Sequence, residues 1–185
     1  MSLEYAILGF LRSRPMTGYE LKKIIDGSVS HFWPADQSQI YRTLGKLAER
    51  GWAEMEVVPG TDRPDRKIYS LTQPGRDELR RWLLAELPIG PTRSAEMIQV
   101  FFSAQLSDAE VLASFERVAE HMRGGLAVFD AIPKQIEAYD DFTRSPREFF
   151  FWMLTLEVGQ MTLRTNLEWL ENVMQRIRTG KVPQS

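Results

Sequence analysis

Between residues 38 and 46 the sequence places side chains that suit recognition of a polar partner. They are Ser38, Gln39, Tyr41, Arg42 and Lys46, all polar or basic. Arginine can form two parallel hydrogen bonds with guanine O6 and N7, serine or glutamine can bond a base edge or a phosphate, and tyrosine can donate to a phosphate oxygen. Lysine adds a flexible positive charge that suits phosphate. These residue types indicate binding of nucleic acid.

Residues suited to catalysis are few and scattered. His31 and His121 are far apart, and none of the zinc-peptidase, nucleophile-elbow or phosphate-loop spacings occurs. Glu137, Asp140 and Asp141 could bind a cation, but three carboxylates at these spacings are more typical of a solvated face. We therefore predict that the chain is not an enzyme and has no catalytic residues, metal site or cofactor.

Length and composition are those of an ordinary globular chain. The 185 residues are 43% hydrophobic and 26% charged, which fits one or two modest domains and excludes a disordered chain. The net charge of −2 provides no global positive field that would draw the protein to nucleic acid. Any DNA binding must therefore depend on where the basic residues lie.

Signals for disulfides and for membrane insertion are both missing from the sequence. It contains no cysteine, which fits a reducing compartment. Glu4 stands where a secretory signal would carry basic residues. The longest stretch without a charged residue, Met97 to Ser107, is 11 residues, whereas about 20 are needed to span a bilayer. We expect a soluble, cytoplasmic protein with no membrane partner.

A domain boundary is predicted where two prolines and a glycine interrupt the helical pattern, between Leu87 and Thr92. We predict a first domain at 1–86, a linker at 87–94, a helical domain at 95–179 and a tail at 180–185. Residues 1–86 contain 13 basic and 12 acidic residues, a net charge of +1, and residues 87–185 contain 10 and 13, a net charge of −3. The first domain is therefore the better candidate for DNA binding.

The first domain is predicted to contain three helices, a β-hairpin and a fourth helix. Thr17 and Glu20 have the spacing of a capping box at the start of the second helix. Asp36 is a good N-cap for the third helix, which should end at Gly51. The period of this helix buries Ile40, Leu44 and Leu47 and turns Ser38, Tyr41, Arg42 and Lys46 outward.

The hairpin is predicted from two β-like runs, Trp52 to Val58 and Lys67 to Leu71, with Thr72 capping the fourth helix. Its tip carries Arg63, Arg66 and Lys67. The order of elements is that of a winged helix-turn-helix, in which the third helix can enter the major groove and the wing can reach the DNA backbone. The alternative is a winged-helix domain that binds protein or an effector without contacting DNA directly.

The second domain is predicted to be entirely helical. Ser107 and Glu110 form one capping-box pattern, and Ser145 followed by Pro146 marks the start of a helix that nothing breaks before Gly180. Along this helix the apolar residues repeat in steps of three and four, and from Gln160 onward they form a heptad seam. We predict a homodimer through this seam, and the alternative is a purely intramolecular seam. Its members are Phe149, Trp152, Leu156, Leu163, Leu167, Leu170, Met174 and Ile177.

Aromatic residues are dense in the second domain. Phe149, Phe150, Phe151 and Trp152 fall in one helical turn, and Phe101, Phe102, Phe115 and Phe129 lie elsewhere in the same domain. The set could line a pocket for a small aromatic effector, or it could form the core and the dimer interface, which are also rich in aromatic residues. The sequence does not identify an effector.

Several blocks of the first domain resemble the PadR-type bacterial transcriptional regulators. The blocks are Gly18-Tyr19-Glu20-Leu21, Phe32-Trp33, Ser38 to Leu44, Leu47 to Gly51 and Arg63 to Gly75, and they span most of residues 3–84 in the right order and spacing. The rest of the chain is similar in length and helical character to the C-terminal domain of the longer PadR subfamily, which is related to virulence-activator regulators.

This resemblance implies a mainly α-helical fold with a small β-hairpin wing, and a helical C-terminal domain that forms the homodimer. It also implies that such a dimer binds a double-stranded DNA operator, usually as a repressor and sometimes as an activator. Because the dimer is two-fold, we expect the operator to be palindromic. The DNA-facing positions implied are Ser38, Gln39, Tyr41, Arg42 and the wing residues Arg63, Arg66 and Lys67. We also predict that Tyr19 and Lys46 contact DNA.

Overall fold

The structure of the chain, a computed structural model, describes residues 2–59, 65–86, 94–137 and 145–181. They belong to two compact units, Met1–Ile89 and Gly90–Ser185. Helices dominate both units and a small sheet occurs in the first, which confirms the predicted fold class. Of the predicted linker only Ser94, and of the predicted tail only Gly180 and Lys181, lie within the described residues.

Four helices form most of the first unit: α1 (Ser2–Leu11), α2 (Gly18–Gly27), α3 (Gln37–Glu49) and α4 (Gln73–Leu84). Their ends lie where the sequence predicts them. At α2 the Glu20 backbone N–H donates to the Thr17 hydroxyl (3.2 Å), and the Thr17 N–H donates to the Glu20 carboxylate (2.8 Å). After α3 the chain turns at Gly51, whose φ of 68° lies in the left-handed region that favours glycine.

Three antiparallel strands complete the first unit. They are β1 (Met16–Thr17), β2 (Ala53–Val58) and β3 (Arg66–Leu71), in the order β1-β3-β2. The hairpin β2–β3 is the predicted wing, with Ala53 opposite Leu71 and Val58 opposite Arg66. The short strand β1 is not predicted from the sequence. Two residues carry no detectable period, and they become a strand only because β3 lies beside them.

The core of the first unit lies between α1, α2 and α3. Its most buried side chains are aliphatic, which fits dense packing without unpaired polar groups. They have relative exposures between 0% and 2%: Ile7, Leu8, Leu11, Leu21, Ile25, Ile40, Leu44 and Leu47. Because Ile40, Leu44 and Leu47 lie on one side of α3, the opposite side of that helix faces solvent.

Two carboxylates are buried at the edge of this core, and both have cationic partners. Glu4 accepts a hydrogen bond from Arg50 (3.0 Å), and the Arg50 guanidinium also lies over the Trp52 ring. Glu78 accepts hydrogen bonds from the Tyr5 hydroxyl (2.9 Å) and from Arg81. These contacts connect α1 to α4 and to the end of α3, and so help to hold α3 in place.

The second unit consists of α5 (Ala95–Phe101), a short 3₁₀ turn (Ser103–Gln105), α6 (Asp108–Glu137) and α7 (Pro146–Arg178). The Ser145 hydroxyl accepts from the Glu148 N–H and caps α7, as predicted. The Ser107 hydroxyl likewise accepts from the Glu110 N–H. The three carboxylates considered as a cation site cannot be compared with the structure, because Asp140, Asp141 and the Glu137 side chain lie outside the described residues.

The long helices α6 and α7 pack against each other over most of their length. A Cβ added at Gly125 would lie 2.9 Å from Leu163, and one added at Gly159 would lie 2.9 Å from the Phe129 ring, so both glycines permit close approach of the helices. Near the start of α6 the two helices share an apolar core of Val111, Phe115, Ala119, Leu170 and Met174, against which Leu167 and Ile177 also pack.

This packing changes the interpretation of the predicted seam on α7. Leu156, Leu170 and Met174 are covered within a single chain, with exposures of 4%, 3% and 1%. Phe149, Trp152, Leu163, Leu167 and Ile177 are half-buried on the same side of the helix. Burial within one chain fits the intramolecular alternative for Leu156, Leu170 and Met174. The role of this seam in a dimer stays a prediction, as does the dimer itself.

Candidate nucleic-acid interface

Helix α3 presents a polar and basic face to solvent. Ser38, Tyr41, Arg42 and Lys46 are all exposed, on the side opposite the buried aliphatic residues of the helix. Within the described part of the chain neither Arg42 nor Lys46 forms an ion pair. Both cationic groups can therefore bind an external anion without first breaking an internal contact. Their role in binding DNA stays a prediction.

The N-terminus of α3 is organised by a reciprocal cap. The Gln39 backbone N–H donates to the Asp36 carboxylate (2.7 Å), and the Asp36 N–H donates to Oε1 of Gln39 (3.0 Å). The carbonyl of the Gln39 side chain is thus used inside the protein. Only its amide nitrogen is left to donate to a base or phosphate, so Gln39 first serves to fix the start of the helix.

The ring of Tyr41 lies against the start of α2. A Cβ added at Gly18 would lie 2.5 Å from Cε1 and 2.8 Å from Cζ of this ring, so only glycine allows this contact. The pKa of Tyr69 is raised, mainly by burial and also by the nearby Tyr41. The two tyrosine side chains are therefore close enough to interact electrostatically. Tyr41 is 41% exposed and is held by α2 on one side. This role of Gly18 is not predicted from the sequence, although a glycine directly after the capping Thr17 is a signal of close approach.

The next residue, Tyr19, is 67% exposed at the first turn of α2. It directly follows Gly18, against which the Tyr41 ring lies. A hydroxyl at this position can donate to a phosphate oxygen. Its predicted contact with DNA has the exposure that it needs and stays a prediction.

The two described basic residues of the wing do not share a face of the hairpin. Side chains alternate along a strand, so Lys67 lies on the same face as the buried Tyr69 and Leu71, which is the face that the helices cover. Arg66 lies on the opposite face, together with Glu56. Arg63 lies outside the described residues. Of the two, Lys67 is on the side of the hairpin that packs toward the helices, and the contacts of both residues with DNA stay predictions.

Two models of known protein families match the chain, one in each unit. The model for the transcriptional regulator PadR-like family matches residues 7–81. The model for the virulence activator alpha C-terminal region matches residues 92–178. The chain belongs to the PadR-like family. Proteins of this family are transcriptional regulators, which are not a class of enzymes.

Individual PadR-type relatives match one or both units. A probable transcriptional regulator of Mycobacterium tuberculosis is 43% identical over 93 residues, which are 50% of this chain and 48% of that protein. The negative transcriptional regulator PadR of Bacillus subtilis is 28% identical over 176 residues, covering 95% of this chain and 97% of that protein. The first match thus spans about half of the relative, and the second spans nearly all of it.

Solved structures agree with this assignment. The structure of Bacillus subtilis PadR in complex with operator DNA has a TM-score of 0.82 at 26% identity, and the match covers 96% of this chain and 99% of that one. The Vibrio cholerae virulence activator AphA, at 23% identity, has a TM-score of 0.71 over 96% of this chain and 98% of its own, and shares the fold. In the described part of the PadR-type chain, no helix is long and apolar enough to cross a membrane.

Proposed function

We propose that this PadR-type regulator is a homodimeric repressor that binds a palindromic operator through α3 and the wing and is released by a small effector. The observation that carries the proposal is the solvent face of α3, where Arg42 and Lys46 are exposed and form no ion pair within the described residues. Support comes from Bacillus subtilis PadR, a negative regulator whose structure contains operator DNA.

Dimerisation would let a chain of net charge −2 bind DNA. Two copies of α3 held about 34 Å apart would read two half-sites, so affinity would come from paired contacts instead of from bulk charge. Because the total charge is slightly negative, non-specific binding should be weak. The protein should therefore distinguish its operator strongly from other DNA.

The surface that suits dimerisation is the side of α7 opposite the predicted seam. Phe151, Leu154, Val158 and Met161 follow one another in steps of three and four and are 49%, 38%, 64% and 61% exposed. On a helix these steps place them in one stripe, turned away from Leu156. An apolar stripe of this kind on a single chain is typical of a protein interface. A second copy of the chain can bury it by two-fold pairing.

Operator binding can be tested with the DNA that lies upstream of the gene and of its neighbours. The full-length protein should shift a fragment that contains a palindrome, and the logarithm of its affinity should fall linearly with the logarithm of salt concentration. Arg42→Ala should weaken binding by about fivefold to 150-fold per half-site, because a good bidentate contact contributes about 1–3 kcal/mol. The matched control is Arg80→Ala, which removes an exposed arginine from α4.

The outcomes separate the proposal from its alternative. Loss of binding in Arg42→Ala with retained binding in Arg80→Ala supports recognition by α3. Equal binding of all DNA fragments would contradict sequence-specific recognition. No DNA binding by the wild-type protein would favour a winged-helix domain that binds protein or an effector only. Circular dichroism of each variant shows whether the fold is retained.

A further inference from the structure

The second unit contains a cavity that the proposed contacts with DNA do not use. It has a volume of about 720 Å³ and lies between α5, the first half of α6 and the C-terminal half of α7. This volume is in the range of sites that bind small organic molecules. Much of its lining is aromatic or flexible and apolar, including Met97, Phe102, Phe115, Met122 and Trp169. The cavity is open to solvent, because Met97, Phe102 and Trp169 are 52%, 55% and 44% exposed.

The charge of the lining is unusual for a site that would bind an acid. Among the described residues that line the cavity, the only charged side chain is that of Glu96, and none of them is a lysine, arginine or histidine. The Ser94 hydroxyl donates a hydrogen bond to the Glu96 carboxylate (2.7 Å) and holds the pKa of Glu96 below its ordinary value. Glu96 is therefore negatively charged at neutral pH. Ser114 and Asn166 add uncharged hydrogen-bonding groups.

These two features together select against anionic ligands. A carboxylate or sulfonate loses part of its hydration against an apolar wall, and the described lining residues offer it no cationic partner. It would also be repelled by Glu96. A neutral aromatic molecule has no charge to dehydrate and is not repelled by Glu96. It can stack on Phe102 or Trp169 while an amide or hydroxyl group of the ligand forms a hydrogen bond with Asn166.

We propose that this cavity is a binding site for an aromatic ligand without negative charge. The further inference that this ligand is the effector that releases DNA rests on the proposed function. Bacillus subtilis PadR has been solved in complex with p-coumaric acid, an aromatic acid. This chain should therefore differ from that relative in the charge of the ligand that it accepts.

The cavity and the apolar stripe on α7 share no residue, but they are neighbours on the helix. Asn166 of the lining follows Met161 of the stripe by five residues, which corresponds to about 7.5 Å along the axis. Ligand binding is therefore measured on the full-length protein in the oligomeric state that it has in solution.

Two fluorescent probes of the same skeleton test the charge selectivity. N-phenyl-1-naphthylamine is neutral, and 8-anilino-1-naphthalenesulfonate adds one sulfonate. Both become fluorescent in an apolar site. Titrated into the full-length protein at neutral pH, the neutral probe should saturate one site per chain and bind at least roughly tenfold more tightly than the sulfonate. Glu96→Gln should strengthen binding of the sulfonate more than binding of the neutral probe.

A pair of substitutions tests the location. Ser114→Phe places a large side chain in the cavity and should abolish saturable binding of the neutral probe. Ala113→Phe places the same side chain on the neighbouring exposed residue, which does not line the cavity, and should leave binding unchanged. Circular dichroism shows that both variants are folded.

Three results would overturn the proposal: the sulfonate binds as tightly as the neutral probe, Ser114→Phe binds the neutral probe like the wild type, or the neutral probe does not saturate. Operator binding by the same preparations, measured without probe, reports on the proposed function separately. A protein that shifts its operator but binds no neutral probe refutes the ligand site alone. A protein that binds the probe but no DNA refutes the operator proposal.

Discussion

The ring of Tyr41 on α3 occupies the space that a side chain at Gly18 on α2 would fill. A Cβ built there would lie 2.5 Å from the ring, closer than such contacts occur. Gly18 therefore acts as a positioning residue: it touches no DNA in the proposed complex, but it sets where the exposed Tyr41 lies. The first turn of α2 and the recognition face of α3 are thereby coupled.

Gly18→Ala should weaken operator binding severalfold, because the added methyl group displaces the Tyr41 ring. In a Tyr41→Ala background the same substitution should have little further effect, since the ring is already gone. Gel-shift titrations of both single variants and the double variant measure this coupling. Gly27→Ala is the control, because a Cβ at Gly27 meets nothing within 4 Å. Additive effects of Gly18→Ala and Tyr41→Ala would show that Gly18 does not act through Tyr41.

Lys67→Ala should weaken operator binding more than Arg66→Ala, because Lys67 lies on the face of the wing that the helices cover. If Lys67 contacts a phosphate, its removal should weaken binding to all sequences and reduce the slope of the salt dependence by about 1. Titrations at several salt concentrations measure both quantities. A larger loss in Arg66→Ala would mean that the DNA lies on the other face of the hairpin.

Val158→Lys should split the proposed dimer, since it places a charge in the middle of the exposed apolar stripe on α7. Sedimentation velocity should show a monomer, and operator binding should fall with it. Gln175→Lys adds the same charge to an exposed position near the end of α7, outside the stripe, and should remain a dimer. A dimer of unchanged stability in Val158→Lys would place the interface elsewhere. Leu167→Lys cannot make this distinction, because Leu167 packs against the core of its own chain.

Glu78→Gln should lower the free energy of unfolding by about 1 kcal/mol at neutral pH. Burial alone would raise the pKa of Glu78, but the hydrogen bonds from Arg81 and Tyr5 outweigh it and hold the pKa below 4.5. A carboxylate with a lowered pKa in the folded state stabilises the protein above the unfolded-state pKa, and this stabilisation is lost as pH falls through the folded-state pKa.

The difference between wild type and Glu78→Gln should therefore shrink as the pH falls below about 4. Urea unfolding at neutral and acidic pH measures it. Glu54→Gln removes an exposed carboxylate on β2 and should change stability little at either pH. A difference that stays constant with pH would show that the ionised form of Glu78 does not stabilise the fold.

Much of the fold could be predicted because its signals are local. The caps at Thr17, Asp36, Thr72 and Ser145 each depend on residues within three or four positions, and the structure contains all of them. The exposed face of α3 likewise depends only on the period of the helix and on which of its residues are apolar. Short stretches of sequence therefore suffice to predict the helix ends and the exposed face, in any fold that buries one side of each helix.

The remaining features depend on residues that are distant in sequence. The apolar residues of α7 occupy two sides of the helix, and only the packing of α6 decides that Leu170 and Met174 face inward while Val158 faces solvent. The strand β1 forms because β3 lies beside it, and Gly18 is needed because Tyr41 lies above it. Sequence period shows that a helix has an apolar side, but which side becomes the core is settled by the free energy of burying it against a particular neighbour.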